Sequence, residues 1–173
     1  MATVAASLTL KSKSPAQTRR IGAHLGRLLQ AGDIVLLSGE LGSGKTCLVQ
    51  GIGRGLAVPD PVTSKSFVLL GEYQGRLTLY HGDLYRLQDP LEAEELALTE
   101  YCAEGVLVVE WADRAWEVFP PEHLLVRLEI SGARERDLTL AARGERYERL
   151  LAAFARGLRP RPAQAVIGGR GWS

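Results

Sequence analysis

The chain has 173 residues, 46% of them hydrophobic, with 21 Lys+Arg against 20 Asp+Glu. That length supports one domain with a sizeable core and excludes two comfortable ones, and the near-cancelling charge argues against a protein that coats nucleic acid generally while leaving room for local basic patches. Cys47 and Cys102 form neither CxxC nor a zinc-like Cys/His spacing, "MATVAASLTLKSK" lacks the apolar core of a signal peptide, and no apolar run approaches the roughly 18 residues of a membrane span, so a soluble, cytoplasmic protein with two small, buried or half-buried cysteines is expected.

In chain order, "SLTLK" predicts a first strand. Ser14 as N-cap, Pro15 at the first helical position and Gln17 at the capping-box position open a helix whose apolar face is Ile21, Leu25, Leu28 and Leu29. After the break at "AGD", the apolar run "IVLL" predicts a strand buried on both faces. Residues 45–56 predict a helix with Leu48, Ile52 and Leu56 on one face. Gly51, Gly53 and Gly55 weaken that helix by about 1 kcal/mol each relative to alanine, which close packing against the sheet would explain. "FVLLGEYQGRLTLYHGD" predicts two antiparallel strands joined at Gln74-Gly75. Residues 90–103 predict a helix that is acidic on one side, and "GVLVVEW" another buried strand. "HLLVRLEI" and "DLTLAA" alternate around Ser131-Gly132 as a second hairpin, and "ERYERLLAAFARGL" is a final amphipathic helix. The division expected is one domain over 1–157 and a mobile Arg/Pro/Gly-rich tail over 158–173 that is solvated rather than RNA-binding.

The run "GELGSGKT", Gly39 to Thr46, fits G-x-x-x-x-G-K-[ST] between a predicted strand and a predicted helix. Glycine costs most conformational entropy on ordering, so three glycines after a good strand call for a ligand that touches backbone. Here the backbone N–H groups of Gly39, Glu40, Leu41, Gly42, Ser43, Gly44, Lys45, Thr46 and Cys47 would turn towards phosphate oxygens, aided by the helix N-terminus. Lys45 would reach the outer phosphates, and the Thr46 hydroxyl would ligate Mg²⁺.

Such a loop needs a carboxylate on the metal side, from the end of another core strand. Glu110, the first polar residue after "VLVV", supplies it, the alternative being a surface glutamate at a strand end. Asp83 in "YHGDLYR" would hold a metal-bound water or orient the attacking water, or else cap a turn. Arg86 and Arg114 would neutralise phosphate or pair with surface carboxylates, with the surface role favoured for both. His81 shares a face with Asp83 and reads as a packed histidine rather than a catalytic one.

Taken together, "GELGSGKT", "VTSKSFVLLGEY", "YHGDLYRL" and "VVEWADR" resemble the bacterial TsaE (YjeE) family over roughly residues 15–140. The resemblance implies an α/β fold, a single P-loop NTPase-like domain with a mixed parallel/antiparallel sheet flanked by helices. It implies an Mg²⁺-dependent ATPase, slow alone and stimulated by partners, that serves threonylcarbamoyladenosine formation at tRNA position 37 and resets the TsaD-like threonylcarbamoyltransferase with its TsaB-like partner. Carried over by motif, Gly42 to Thr46 would hold the phosphates, Thr46 and Glu110 the metal, and Asp83 would serve hydrolysis; Thr18 would lie near the nucleotide. Thr63 to Ser66 would form a switch-like loop, reading T-S-K-S where the family usually reads T-S-P-T, and Trp111 would sense nucleotide or partner or simply pack. Two other readings compete: a P-loop small-molecule kinase, which typically needs a lid segment absent between these core strands, and a nucleotide-dependent interaction module. No N-K-x-D guanine reader occurs, which favours ATP over GTP.

Overall fold

The computed structural model describes residues 6–63 and 69–158. Of the tail expected over 158–173, Leu158 ends the last helix and the rest lies outside the described residues, as do positions 64–66 of the switch-like loop. Seven strands form one sheet: β1 (Ala6–Ser12), β2 (Ile34–Ser38), β3 (Leu70–Tyr73), β4 (Thr78–Asp83), β5 (Gly105–Glu110), β6 (His123–Ile130) and β7 (Arg136–Arg143), in the order β1-β7-β6-β2-β5-β4-β3. The central strands β6, β2, β5 and β4 run parallel. Antiparallel partners close both flanks, β7 with β1 on one side and β3 on the other. The mixed sheet expected from the two hairpins is therefore present, and β2 and β5 are buried along their whole length.

The helices α1 (Pro15–Leu28), α2 (Lys45–Gly55) and α4 (Glu145–Leu158) cover one face. There Leu25, Leu48, Ile52 and Phe154 pack on Val35, Leu37, Val106 and Val108. The other face is covered by α3 (Pro90–Glu95) and short 3-10 turns, around Ile34, Leu36, Leu107 and Val109. The alternating faces of one strand thus feed two apolar clusters, as a strand buried on both sides must.

Ser14 caps α1 by accepting from Gln17 N–H at 3.1 Å, while Gln17 reaches back to Lys13 N–H, one residue before the cap. At the end of the sheet remote from the glycine loop, Arg146 grips both carboxylate oxygens of Asp33, and Ile34 N–H donates to Tyr147 Oη, which docks α4 on β2.

Several expectations are corrected. The helix over 90–103 is broken: α3 ends at Glu95, Ala97 takes a left-handed φ of 45°, and a 3-10 turn follows over Leu98–Glu104. In a continuous helix Ala93 and Leu98 would point about 140° apart; the break lets both reach the same apolar cluster. The hairpin links are longer than two residues, spanning 74–77 and 131–135. The strand β6 alternates only in its second half; its first half, residues 123–126, is buried on both faces, where the apolar clusters of the two sides take Leu124, Leu125 and Val126.

The glycines of α2 serve mainly a helix rather than the sheet. A Cβ on Gly51 would meet the carbonyl oxygen of Arg19, and one on Gly55 that of Ala23. Reciprocally, a Cβ on Gly22 or Gly26 of α1 would meet the carbonyls of Leu48 and Ile52. Only Gly53 faces the sheet side, near Val62 and Leu79. Backbone-to-backbone contact between α1 and α2 fixes where α2 begins, and so where the glycine loop ends.

Candidate functional site

The parallel strands all end at one edge of the sheet, and three of them deliver the chemistry. The loop after β2 runs over Gly39–Gly44 into α2, with φ of 80° at Gly42 and 99° at Gly44. These left-handed values strain any residue with a Cβ and come naturally to glycine. No side chain caps α2, whose N-cap is Gly44, so its first N–H groups face the loop's cavity and favour an anion.

Lys45 is buried and lies within the loop. Its Nζ donates to Gly39 O at 2.5 Å, Glu40 O at 2.9 Å and Ser43 Oγ at 3.3 Å, and sits 3.9 Å from the centre of the Trp111 ring. Burial pulls its pKa below the ordinary lysine value, while Glu110, Asp113, Asp83 and Glu40 pull the other way. Trp111 itself has a left-handed φ of 57°. A bulky residue holds that conformation only where its surroundings enforce it; here it places the indole over the ammonium.

Thr46, on the first turn of α2, donates from Oγ1 to Glu110 Oε1 at 3.0 Å. The other oxygen, Oε2, is 2.6 Å from His81 Nε2, and both side chains are only 3% exposed. Glu110 is therefore not a surface glutamate. Asp83 pairs in register with Glu110 across β4 and β5. It accepts from Tyr85 N–H at 3.0 Å, so it forms a turn and also lines the cavity. That cavity, about 350 Å³, is bounded by Leu41, Lys45, Thr46, Asp83, Glu110 and Trp111 among others.

A second cavity of about 250 Å³ opens on the other side of Gly42 and Gly44, towards Ser14, which caps α1, Thr18 of α1, Arg134 of the β6–β7 link and Arg136, the first residue of β7. Thr18 is buried there with its hydroxyl 2.8 Å from Ser12 Oγ. Arg136 donates to Gly42 O at 3.1 Å and to Gly132 O and Glu135 O, tying the hairpin to the loop. Sequence reasoning missed this arginine, whose contact to Gly42 spans 94 positions; an Arg next to an acidic pair in a hairpin carries no local signal.

The residues singled out in the sequence are thus largely brought together: Lys45, Thr46, Asp83, Glu110 and Trp111 around one cavity, Thr18 with Gly42, Gly44 and Cys47 around the next. Arg86 is exposed and lines neither. Arg114 stands over the Tyr85 and Trp111 rings at 5.4 and 5.6 Å, at the mouth rather than inside. Of the switch-like loop, Thr63 is held by mutual hydrogen bonds with Tyr73 Oη.

The cysteines differ in a testable way. Cys47 is half-buried and lines both cavities, whereas Cys102 is buried and burial pushes its thiol up to about 11. At pH 8 about one Cys102 thiol in a thousand is then ionised. Iodoacetamide at that pH is expected to alkylate Cys47 and spare Cys102 until the chain is unfolded, as read by peptide mass spectrometry. Equal labelling of the two in folded protein would contradict the packing of Cys102.

Residues 12–138 match the family described as threonylcarbamoyl adenosine biosynthesis protein TsaE. The chain is similar to the tRNA threonylcarbamoyladenosine biosynthesis protein TsaE of Bacillus subtilis strain 168, 38% identical over 151 residues that cover 86% of this chain and 94% of the relative. Similarity to the protein of the same description from Treponema pallidum strain Nichols is 39% identity over 131 residues, 75% of this chain and 97% of the relative. Among solved structures, the crystal structure of Bacillus subtilis YdiB superposes with a TM-score of 0.73 at 33% identity, over 88% of this chain and 96% of that one.

Proposed function

The chain belongs to the TsaE family of threonylcarbamoyladenosine biosynthesis proteins, and on that premise we propose that it hydrolyses ATP to reset the tRNA threonylcarbamoyltransferase complex between turnovers. The carrying observation is the meeting of Thr46 Oγ1 and Glu110 Oε1, 3.0 Å apart, beneath a glycine loop with a buried lysine. It supports triphosphate binding more than any feature of a generic glycine turn.

In this reading, loop N–H groups and the α2 N-terminus take the phosphate oxygens, and Lys45 exchanges carbonyl acceptors for the outer phosphates. The second cavity takes the nucleoside side, beside Thr18 and Arg136. Thr46 and Glu110 are hard oxygen donors from two elements, which suits Mg²⁺. Among the described residues no three His, Cys, Asp or Glu side chains converge on a metal position; Mg²⁺ here would complete its shell with phosphate and water oxygens, as it usually does. When bound, that ion supplies charge neutralisation on the transferring phosphoryl group. Asp83 orients the attacking water.

Among the described residues lining the loop's cavity, Lys45 is the one cation. Phosphoryl transfer needs more charge than that neutralised and a nucleophile held in line. The rate alone is therefore slow, below the 1–100 s⁻¹ typical of kinases, and rises when a TsaD-like transferase and its TsaB-like partner order the site. No helix among the described residues is long and apolar enough to cross a membrane, in keeping with action on a tRNA-modifying complex in the cytoplasm.

The destination of the phosphoryl group tests this. With γ-³²P-ATP, Mg²⁺, the partner pair and tRNA, all label is expected in inorganic phosphate. Label on a small metabolite would replace the ATPase reading with a kinase.

A further inference from the structure

We propose that His81 is a positioning residue for the metal-side carboxylate, fixing which way Glu110 presents its two oxygens; this rests on the reading of Glu110 as the Mg²⁺ ligand. His81 faces Val108 across the parallel β4–β5 ladder, so it leaves the sheet on the same face as Glu110, one pleat below it. That is the α2 face, and it is closed there: His81 and Glu110 are each 3% exposed.

A carboxylate on a glutamate turns freely about its last torsion, which has a broad, roughly two-fold profile. Here that rotation is stopped from both ends. His81 Nε2–H donates to Oε2 at 2.6 Å, and Thr46 Oγ1 donates to Oε1 at 3.0 Å. Without His81, Oε2 loses its 2.6 Å partner, and the carboxylate is free to turn about that torsion in search of another donor. The chelating direction of Oε1 would then be lost, although Glu110 itself remained. Partners that orient a ligating carboxylate in this way typically matter about 10–100-fold to metal affinity. A merely structural histidine would change stability and leave metal affinity untouched, and this is the difference to measure.

The test is calorimetric titration of ADP into the full chain at a series of Mg²⁺ concentrations. The proteins are wild type, His81→Leu, His81→Gln, His81→Asn, Glu110→Gln and the His81→Leu/Glu110→Gln double variant, with circular dichroism to confirm folding. In wild type, Mg²⁺ tightens ADP binding. In His81→Leu the Mg²⁺ concentration giving half of that gain is expected to rise about 10–100-fold, with metal-free affinity within about threefold of wild type. The longer amide of His81→Gln should restore most of it, and the shorter amide of His81→Asn should not, which keeps the test valid if the leucine variant does not fold. The double variant should lose no more than Glu110→Gln alone, because His81 acts only through that carboxylate. A gain that Glu110→Gln loses and all His81 variants keep overturns this inference and leaves Glu110 as ligand. A wild type with no Mg²⁺ gain removes the metal reading of Glu110, and this inference with it.

Discussion

Gly51→Val is expected to cost the fold about 4 kcal/mol or more. A Cβ there would fall on the carbonyl oxygen of Arg19 in α1. A backbone oxygen cannot rotate away as a side chain would, so the helices must part. Parting them also opens the contacts at Gly22, Gly26 and Gly55 and draws Ile21, Leu25 and Leu29 out of the larger apolar cluster. Overpacking costs typically 1–3 kcal/mol where neighbours can yield; here the neighbour is main chain and valine adds a branch, so a loss of about 4 kcal/mol or more is expected. A domain stable by roughly 5–15 kcal/mol would be brought to the edge of unfolding at the lower end of that range and stay folded, with a lowered urea midpoint, at the upper end. Urea unfolding followed by circular dichroism gives the number. Gly132→Ala is the control, since its Cβ meets only the Glu135 side chain, at 3.4 Å or more, and should stay within about 0.5 kcal/mol of wild type. Wild-type stability in Gly51→Val would mean that α1 and α2 are not in main-chain contact.

Lys45→Ala should weaken ATP binding by a hundredfold or more while costing little stability. Its ammonium now satisfies Gly39 O and Glu40 O, and on binding would meet phosphate oxygens instead. Hydrogen bonds to charged groups contribute about 1.5–3 kcal/mol each, so losing two is roughly 10²–10⁴-fold in affinity. The fold is spared because burial disfavours the charged amine and pulls its pKa below the ordinary lysine value, and because Gly39 and Glu40, whose carbonyls it leaves, line a cavity of about 450 Å³ beside Trp111 that has room for water. Calorimetry with ATP and Mg²⁺, beside a thermal melt, separates the two effects. A folded Lys45→Ala protein with unchanged affinity would remove phosphate binding from the loop.

What was legible in the sequence was what is local. The runs "IVLL" and "VLVV" marked two strands buried on both faces, and Ser14-Pro15 marked the start of α1. The glycine pattern and the first polar residue after a strand pointed to Lys45, Thr46 and Glu110, which the fold gathers around one cavity. What was not legible depends on pairing at a distance. Gly22 and Gly26 match Gly51 and Gly55 only once two helices are set side by side. His81 meets Glu110 only through the parallel register of β4 and β5, and Arg136 reaches Gly42 only because β6 and β7 return beside β2. The break at Ala97 follows from the apolar cluster below it, which no helical periodicity over 90–103 announces.

If the proposed hydrolysis needs the partners to complete the site, the rate of phosphate release must depend on them and on Asp83. Phosphate release should be measured for wild type and Asp83→Ala, each alone and with a TsaD-like transferase, its TsaB-like partner and tRNA. Wild type should be slow alone and markedly faster with the pair. Asp83→Ala should bind ATP and the pair as wild type does, yet show no stimulated release and support only a single round of tRNA modification. A wild-type rate that is fast alone and unchanged by the partners, or an Asp83→Ala protein stimulated as fully as wild type, would rule out hydrolysis completed by partners at this site.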